Sequence, residues 1–282
     1  MGKIIDGRAA AAEVCIEIKA RVQAVCDKGV QPCLAVVLVG DNPASKAYVG
    51  MKEKKAAELG IKTVGHKLPA ETTEEDLIAL VKQMNDDPSI HGILVQLPLP
   101  KHISEDNVLL NISAAKDVDG LHPENAGMLL TGREGFIPCT PKGCVKLVES
   151  TGTEISGKNC VVIGRSNIVG KPMAMLLLAA SGTVTVCHSR TQNLAEITRN
   201  ADILVAAVGK AKFVTADMVK EGAVVIDVGM NRDENGKRCG DVDFEAVKEK
   251  ASHITPVPGG VGLMTVAMLM QNTVTAAKNQ NN

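Results

Sequence analysis

Apolar positions near the start of the chain, Ala9, Val14, Ile18, Val22 and Val25, recur close to helical spacing and predict a long helix from an Asp6 cap to about Lys28, ended by Gly29. Residues 33–39 form an unbroken, β-branched run that reads as a buried strand, followed by the turn Gly40-Asp41-Asn42-Pro43. A second helix is predicted over 44–59 and stopped by Gly60. Residues 61–68 alternate like a strand, 73–85 read as a helix opened by a Thr-x-x-Asp cap, and 92–96 as another buried strand. This alternation of strand and helix predicts a parallel sheet covered by helices. Leu97-Pro98-Leu99-Pro100 cannot continue a central strand, because proline has no N–H to give, so the strand must end at Gln96. Gln96 and the loop after Val39 then lie beyond the carboxyl ends of parallel strands, where α/β folds place their sites.

Two loops, Lys116-Asp117-Val118-Asp119-Gly120 and Ile137-Pro138-Cys139-Thr140-Pro141, precede a helix over 141–150 that reads as a domain connector. From Gly157 the pattern restarts, with strands over 159–163, 183–187, 203–206 and 223–228 and helices over 171–180, 193–199 and near 215–220. A polar, hairpin-like insertion over 230–241 follows, then a helix near 244–250, a short strand at Ile254, a glycine cluster over 258–262 and a last helix to about Lys278. The fold class is therefore α/β with two domains, each a mainly parallel sheet flanked by helices, and the second a doubly wound Rossmann-type domain. The boundaries are drawn at 1–145 and 146–263, with a C-terminal helix over 264–282 packing back on the first domain.

Composition narrows the function classes. A chain of 282 residues that is 45% hydrophobic and 22% charged is long enough for two buried cores and has no disordered character. A net charge of -1 leaves no electrostatic footprint for nucleic acid, and with no Trp, one Tyr and three Phe there is no stacking platform for single strands. Eight cysteines form no Cys-x-x-Cys pair and no zinc-like spacing, so they read as reduced, mainly buried thiols. No apolar run is long enough to span a bilayer, and the N-terminus carries neither a signal-peptide core nor a myristoylation motif. A cytoplasmic protein without metal, membrane or nucleic-acid partner is the expectation.

Candidate chemistry falls in four places. In Val161-Val162-Ile163-Gly164-Arg165-Ser166-Asn167-Ile168-Val169-Gly170-Lys171-Pro172 an apolar strand meets a glycine, a short polar turn, a second glycine and a helix start. Such a turn lets backbone approach a phosphate, although Gly-x-Ser-x-x-x-Gly also fits an ordinary βα turn. Beyond the next strand, His188-Ser189-Arg190-Thr191 holds no carboxylate for a ribose 2′-hydroxyl; donors and a guanidinium suit a 2′-phosphate, so NADP is preferred over NAD unless Arg190 is merely a surface arginine. On the second helix Ser45, Tyr48 and Lys52 share one face, either as a substrate-positioning set or as part of a solvated stripe that continues into Glu53, Lys54 and Lys55. Asp117 and Asp119 read as turn formers, Mg²⁺ ligands or acceptors for a heterocycle.

Taken together, Tyr48-Val49-Gly50-Met51-Lys52, Val95-Gln96-Leu97-Pro98-Leu99-Pro100, Lys116-Asp117-Val118-Asp119-Gly120, Pro138-Cys139-Thr140-Pro141, Gly164-Arg165-Ser166-Asn167-Ile168-Val169-Gly170 and Pro256-Val257-Pro258-Gly259-Gly260-Val261-Gly262 resemble the bifunctional methylenetetrahydrofolate dehydrogenase/methenyltetrahydrofolate cyclohydrolase family in its short, two-activity form. The resemblance implies NADP⁺-dependent oxidation of 5,10-methylenetetrahydrofolate and hydrolysis of the methenyl product to 10-formyltetrahydrofolate in one interdomain cleft, by a homodimer. The first domain would then be the folate-binding catalytic one and the second the NADP-binding one. The resemblance makes Lys52 the catalytic lysine, Tyr48 the tyrosine beside the folate, Gln96 the lysine's partner and Asp119 the carboxylate for the pterin-like ring. It adds Leu97, Pro98, Pro258, Gly259 and Gly260 on the substrate side, and it puts Gly164, Arg165, Ser166, Ile168, Ser189, Arg190 and Gly209 on the cofactor side. A general base must be partly neutral near pH 7, so burial is expected to lower the pKa of Lys52, with Gln96 orienting it. The family's usual Gly-Val-Gly-Pro-Met-Thr is broken here by Leu263, which loosens the carry-over of contacts near residues 257–262. Two other functions fit the same plan: a dehydrogenase of a different small substrate, and a non-catalytic dinucleotide sensor, which would have no reason to keep Tyr48, Lys52, Gln96 and Asp119 together.

Overall fold

A two-residue strand, β1 (Lys3–Ile4), begins the chain, and Asp6 then opens α1 (Gly7–Cys26) by accepting the N–H groups of Arg8 and Ala9. This is a computed structural model and it describes residues 2–281. β2 (Cys33–Val39) is buried at all seven positions, as expected of a strand covered on both faces. Asn42 caps α2 (Pro43–Leu59) through the N–H groups of Ala44 and Ser45, and Gly60 ends it in the left-handed conformation at φ 78°. β3 (Lys62–Leu68), α3 (Glu74–Asp86) and β4 (Gly92–Val95) follow; the three acids in the first turn of α3 complement its N-terminal partial charge. The sheet order is β3-β2-β4, parallel throughout. Its core packs Val37, Leu77, Val81, Ile93, Val108 and neighbouring apolar side chains.

Three helices come next: α4 (Glu105–Asn111), α5 (Pro123–Thr131) and α6 (Cys139–Glu149). The pattern of apolar residues shows the last but not the first two. Each is under ten residues, too short for a periodicity to develop, and both rest on caps, Ser104 and His122, that look like loop residues in sequence.

The second sheet is built from β5 (Asn159–Ile163), α7 (Gly170–Ala179), β6 (Thr183–Cys187), α8 (Leu194–Thr198), β7 (Ile203–Ala206) and β8 (Val224–Asp227). An antiparallel hairpin, β9 (Asn231–Arg232) with β10 (Arg238–Cys239), forms the polar insertion, and α9 (Phe244–Lys248), β11 (His253–Ile254) and α10 (Val261–Asn279) complete the chain. The strand order is β1-β11-β8-β7-β5-β6, all parallel, with the N-terminal β1 added at one edge. In place of the helix expected near 215–220 there is a single 3-10 turn, Ala216–Met218, because Val219 is already extended and one turn cannot nucleate further.

The chain divides into two compact units. One comprises the residues up to Ala12 together with Pro138–Thr265, the other Glu13–Ile137 with the chain from Val266 onward. The divisions fall at 137/138 and 265/266, where the sequence reading drew them at 145/146 and 263/264, and the first dozen residues go with the second sheet through β1. Within the second of these units the Asn272 amide donates to the carbonyls of Val118 and Ile137. All eight cysteines are free thiols, and no helix of the described residues is long and apolar enough to cross a membrane.

Candidate active site

The helix α2 buries the face formed by Ser45, Val49, Lys52, Ala56 and Leu59. Lys52 is thus not on a solvated stripe: it is 7% exposed, and its neighbour Lys54 is the exposed one. A buried ammonium or amine needs an acceptor, and Lys52 Nζ lies 2.9 Å from Gln96 Oε1. Gln96 follows directly after β4, where its N–H donates to Val37 O, and its Nε2 donates to Leu97 O at 2.6 Å. With the amide nitrogen held by its own chain, the oxygen is the atom left for Lys52. Tyr48 is half-buried one turn before Lys52, whose Nζ stands 5.8 Å from the ring centroid. Leu97 is half-buried and Pro98 exposed in the segment after Gln96, which Leu99 N anchors on Glu105 Oε1.

The loop with Asp117 and Asp119 is fastened to β4, since Ile93 N donates to Lys116 O and Ile93 bridges Asp117 in parallel register. The two acids then separate in role. Asp117 is 2% exposed and its Oδ2 accepts from His122 N at 2.7 Å and Asn125 Nδ2 at 2.9 Å. Burial pushes this carboxyl upward, and those donors oppose the shift. Asn125, itself 4% exposed, also reaches Ala114 O and accepts from Phe136 N, so the loop is tied at both ends. Asp119 is half-buried and lies on the side of the strand's carboxyl end. Asp117 and Asn125 are residues whose part is invisible in sequence, because burial, not spacing, gives it to them. Among the described residues no group of three or more His, Cys, Asp or Glu side chains could hold a metal ion.

In the other unit three loops meet at the carboxyl ends of β5, β6 and β7. Gly164 N donates to Cys187 O and Ala207 N to Ile163 O, which ties the segment after each strand to its neighbour. Gly164 sits at φ 129°, and a Cβ there would run into the carbonyl of Ala207; a Cβ at Gly170 would run into the carbonyl of Gly164. Only glycines allow a turn this tight between strand and helix. Ser166 braces it, its Oγ accepting from Val169 N and Gly170 N. Arg165, Ser166 and Ile168 are exposed, as are Ser189 and Arg190 in the turn after β6, which closes through His188 and Thr191. These donors fit a dinucleotide with a 2′-phosphate: a glycine-lined turn for the diphosphate and a guanidinium, with no carboxylate, for the ribose end. Gly209, at φ 68°, belongs to the loop after β7.

Pro258 and Gly259 are exposed and Gly260 is buried just before α10, in the same unit as the Rossmann sheet, while Tyr48, Lys52, Gln96, Leu97, Pro98 and Asp119 are in the other. A Cβ at Gly7 would strike the carbonyls of Gly259 and Gly260, so the start of α1 is packed on this cluster.

Two protein-family models match the chain: the catalytic domain of tetrahydrofolate dehydrogenase/cyclohydrolase over residues 5–119, and the NAD(P)-binding domain of the same family over 138–281. A bifunctional protein FolD from Acidovorax sp. (strain JS42) is 60% identical over 277 residues, covering 98% of each chain. The crystal structure of the bifunctional FolD methylenetetrahydrofolate dehydrogenase/cyclohydrolase from Campylobacter jejuni superposes with a TM-score of 0.96 at 52% identity and 99% coverage of both chains. The Trypanosoma brucei enzyme, solved with NADP cofactor and inhibitor, gives a TM-score of 0.94 at 40% identity, covering 100% of this chain and 99% of its own.

Proposed function

The chain belongs to the tetrahydrofolate dehydrogenase/cyclohydrolase family, and we infer that it is the two-activity folate enzyme: it oxidises 5,10-methylenetetrahydrofolate to 5,10-methenyltetrahydrofolate and hydrolyses that product to 10-formyltetrahydrofolate. In the first reaction the folate loses a hydride; in the second one water adds to the methenyl carbon and one proton is released. NADP⁺, when bound, supplies the hydride acceptor. The residues that fit it are Gly164, Arg165, Ser166 and Ile168 for the diphosphate, Ser189 and Arg190 for the 2′-phosphate, and Gly209.

The observation that carries the catalytic half is the Lys52 to Gln96 pair. Lys52 is 7% exposed and its Nζ lies 2.9 Å from the neutral amide oxygen of Gln96, an arrangement that orients the nitrogen without placing a charge at position 96. On that geometry Lys52 is assigned as the base for the attacking water. Tyr48 and Asp119 complete the assignment, the ring beside the folate and the carboxylate as acceptor for ring N–H groups. Leu97, Pro98, Pro258, Gly259 and Gly260 are assigned to substrate contact. We carry a homodimer and a cytoplasmic location as parts of the same reading; eight free thiols suit a reducing compartment.

The test is one assay with both NADP⁺ and NAD⁺ that follows NADPH formation and methenyl decay, run on the wild type and on Lys52→Met. The expected result is both activities in the wild type, and in the variant no cyclohydrolase activity with NADP⁺ binding intact. Retained hydrolysis by Lys52→Met would sink the assignment of Lys52, and neither activity in the wild type would defeat the function.

A further inference from the structure

Between the end of α1 and the last turns of α10 lies a recess of about 210 Å³, within one compact unit and lined by none of the residues assigned to folate or NADP. Its floor is apolar: Val25, Val274 and Ala277 are buried at 7%, 1% and 0% exposure, and Val30 beside them is half-buried. Its rim is cationic. Arg21, Lys28 and Lys278 stand around it, all exposed, and none of the described residues that line it is acidic. A chain with 31 basic and 32 acidic residues has no general excess of positive charge, so this concentration is local.

The rim differs from the rest of the surface in how its charges are matched. Elsewhere lysines lean on acids: Lys46 on Asp41, Lys55 on Glu58, Lys146 on Glu149, Lys220 on Asp202 and Lys248 on Glu245. The Nζ groups of Lys28 and Lys278 make no hydrogen bond or ion pair among the described residues. Arg21 is held in place, its Nη2 donating to Thr275 Oγ1 at 3.0 Å while that hydroxyl donates to Gln271 O. One N–H of the guanidinium is thereby spent and the others are left for a ligand. Asn281, also on the rim, is fixed to α10 by donating from Nδ2 to Ala277 O. The negative ends of two helices account for cations nearby, but not for the apolar hollow between them. Like charges gathered without an anion repel one another, and an anionic ligand relieves that repulsion. Size narrows the class: pockets for drug-sized ligands run to about 300–1,000 Å³, so this recess is too small for a dinucleotide or a folate and suits a short chain or a single ring.

We propose that this recess binds a small carboxylate with an apolar tail, the tail on the floor of Val25, Val274 and Ala277 and the carboxylate on Arg21, Lys28 and Lys278. It is a second ligand site, independent of the activity inferred above. The test titrates octanoate, octan-1-ol and inorganic phosphate into the wild-type chain by calorimetry. The alcohol keeps the tail without the charge, and phosphate keeps the charge without the tail. Octanoate is expected to bind saturably with a Kd of about 1 mM or tighter, and about tenfold or more tighter than either control. A weaker Kd, or a control that binds within about tenfold of octanoate, overturns the proposal. Two variants then locate the binding: Arg21→Gln with Lys278→Gln removes two charges, and Ala24→Leu puts a larger side chain into the recess from an exposed position of α1. Each is expected to weaken octanoate by about fivefold or more. A smaller effect in either variant, shown by circular dichroism to be folded, overturns the proposal, and the second variant decides the matter if the first does not fold.

Discussion

Asp227 closes β8 at 3% exposure, its carboxyl accepting the N–H groups of Gly229, Asp241 and Val242. Burial, opposed by the N–H groups of Asp241, Val242 and Gly229 and reinforced by the Asp241 charge, raises it from 3.8 to about 6. A group whose pKa is raised in the folded state binds a proton more tightly when folded, so its contribution to stability is complete below the unfolded value and is lost as pH rises through the folded one. The full effect is about 3 kcal/mol, from a shift of about 2.2 units at about 1.36 kcal/mol each. Between pH 7 and pH 5 the folded carboxyl goes from about one-tenth to about nine-tenths protonated while the unfolded one stays ionised, which works out to about 1.3 kcal/mol. Asp227→Asn removes the titration. Urea unfolding of both proteins at pH 5, 6 and 7, followed by circular dichroism, should show the wild type gaining about 1.3 kcal/mol relative to the variant as pH falls from 7 to 5. Groups with lowered values, such as Asp202 under the hydrogen bond from Lys220, move the other way but cancel in the difference between the two proteins. A flat difference, or a wild type that loses ground at pH 5, would refute the assignment of a buried, proton-binding carboxylate.

Other outcomes are expected at the cofactor and helix-start positions. On the proposed assignment of Arg190 to the 2′-phosphate, Arg190→Ser should raise the KM for NADP⁺ by about tenfold or more, the size of one charge-assisted hydrogen bond, and leave that for NAD⁺ within about twofold; an equal rise for both would count against it. Gly170→Ala forces a methyl onto the Gly164 carbonyl, a backbone atom that cannot swing away, and should cost about 1–3 kcal/mol in thermal unfolding together with a raised NADP⁺ KM; an unchanged Tm would contradict the close approach. Leu263→Pro should shift stability by no more than about 1 kcal/mol, measured by calorimetry, because Leu263 is in the first turn of α10 and its N–H makes a single long bond, 3.3 Å to Gly260 O.

Much of the fold can be read from apolar patterning because the strands that matter most are buried on both faces. β2, β5, β7 and β8 are built mainly of Val, Ile, Leu, Ala and Cys, with Asn159 and Asp227 as their only polar residues. What the pattern does not carry is structure held by single polar residues: α4 and α5 depend on caps, and the 3-10 turn at Ala216–Met218 depends on where extension resumes. The site divides along the same line. Lys52 to Gln96 is found in sequence only through the family motifs, since Lys52 lies among Glu53, Lys54 and Lys55 and its burial follows from which face of α2 meets the sheet. Asp117 passes for a turn former, Asp227 for a strand residue of 223–228 and Asp241 for the edge of the polar insertion, yet a carboxylate closing the apolar strand Val224–Asp227 is a signal of a buried acid.

The two units solve the problem of buried polar chemistry in different ways, and the difference follows from what each loop must present. In the Rossmann unit, Asp241 accepts the N–H groups of Val208, Gly209 and Lys210 and the Asn231 amide, and Asp227 accepts those of Gly229, Asp241 and Val242, so the cost of burying each carboxyl is spread over three or four hydrogen bonds. Beside Lys52 the group at position 96 is an amide, which accepts one hydrogen bond without adding a charge. Its own orientation comes from Leu97 O, the carbonyl next along its chain, so a neutral side chain suffices where elsewhere a charged one is needed. Asp117 shows the intermediate case: a carboxylate committed to His122 N and Asn125, while Asp119, two residues on, stays half-buried.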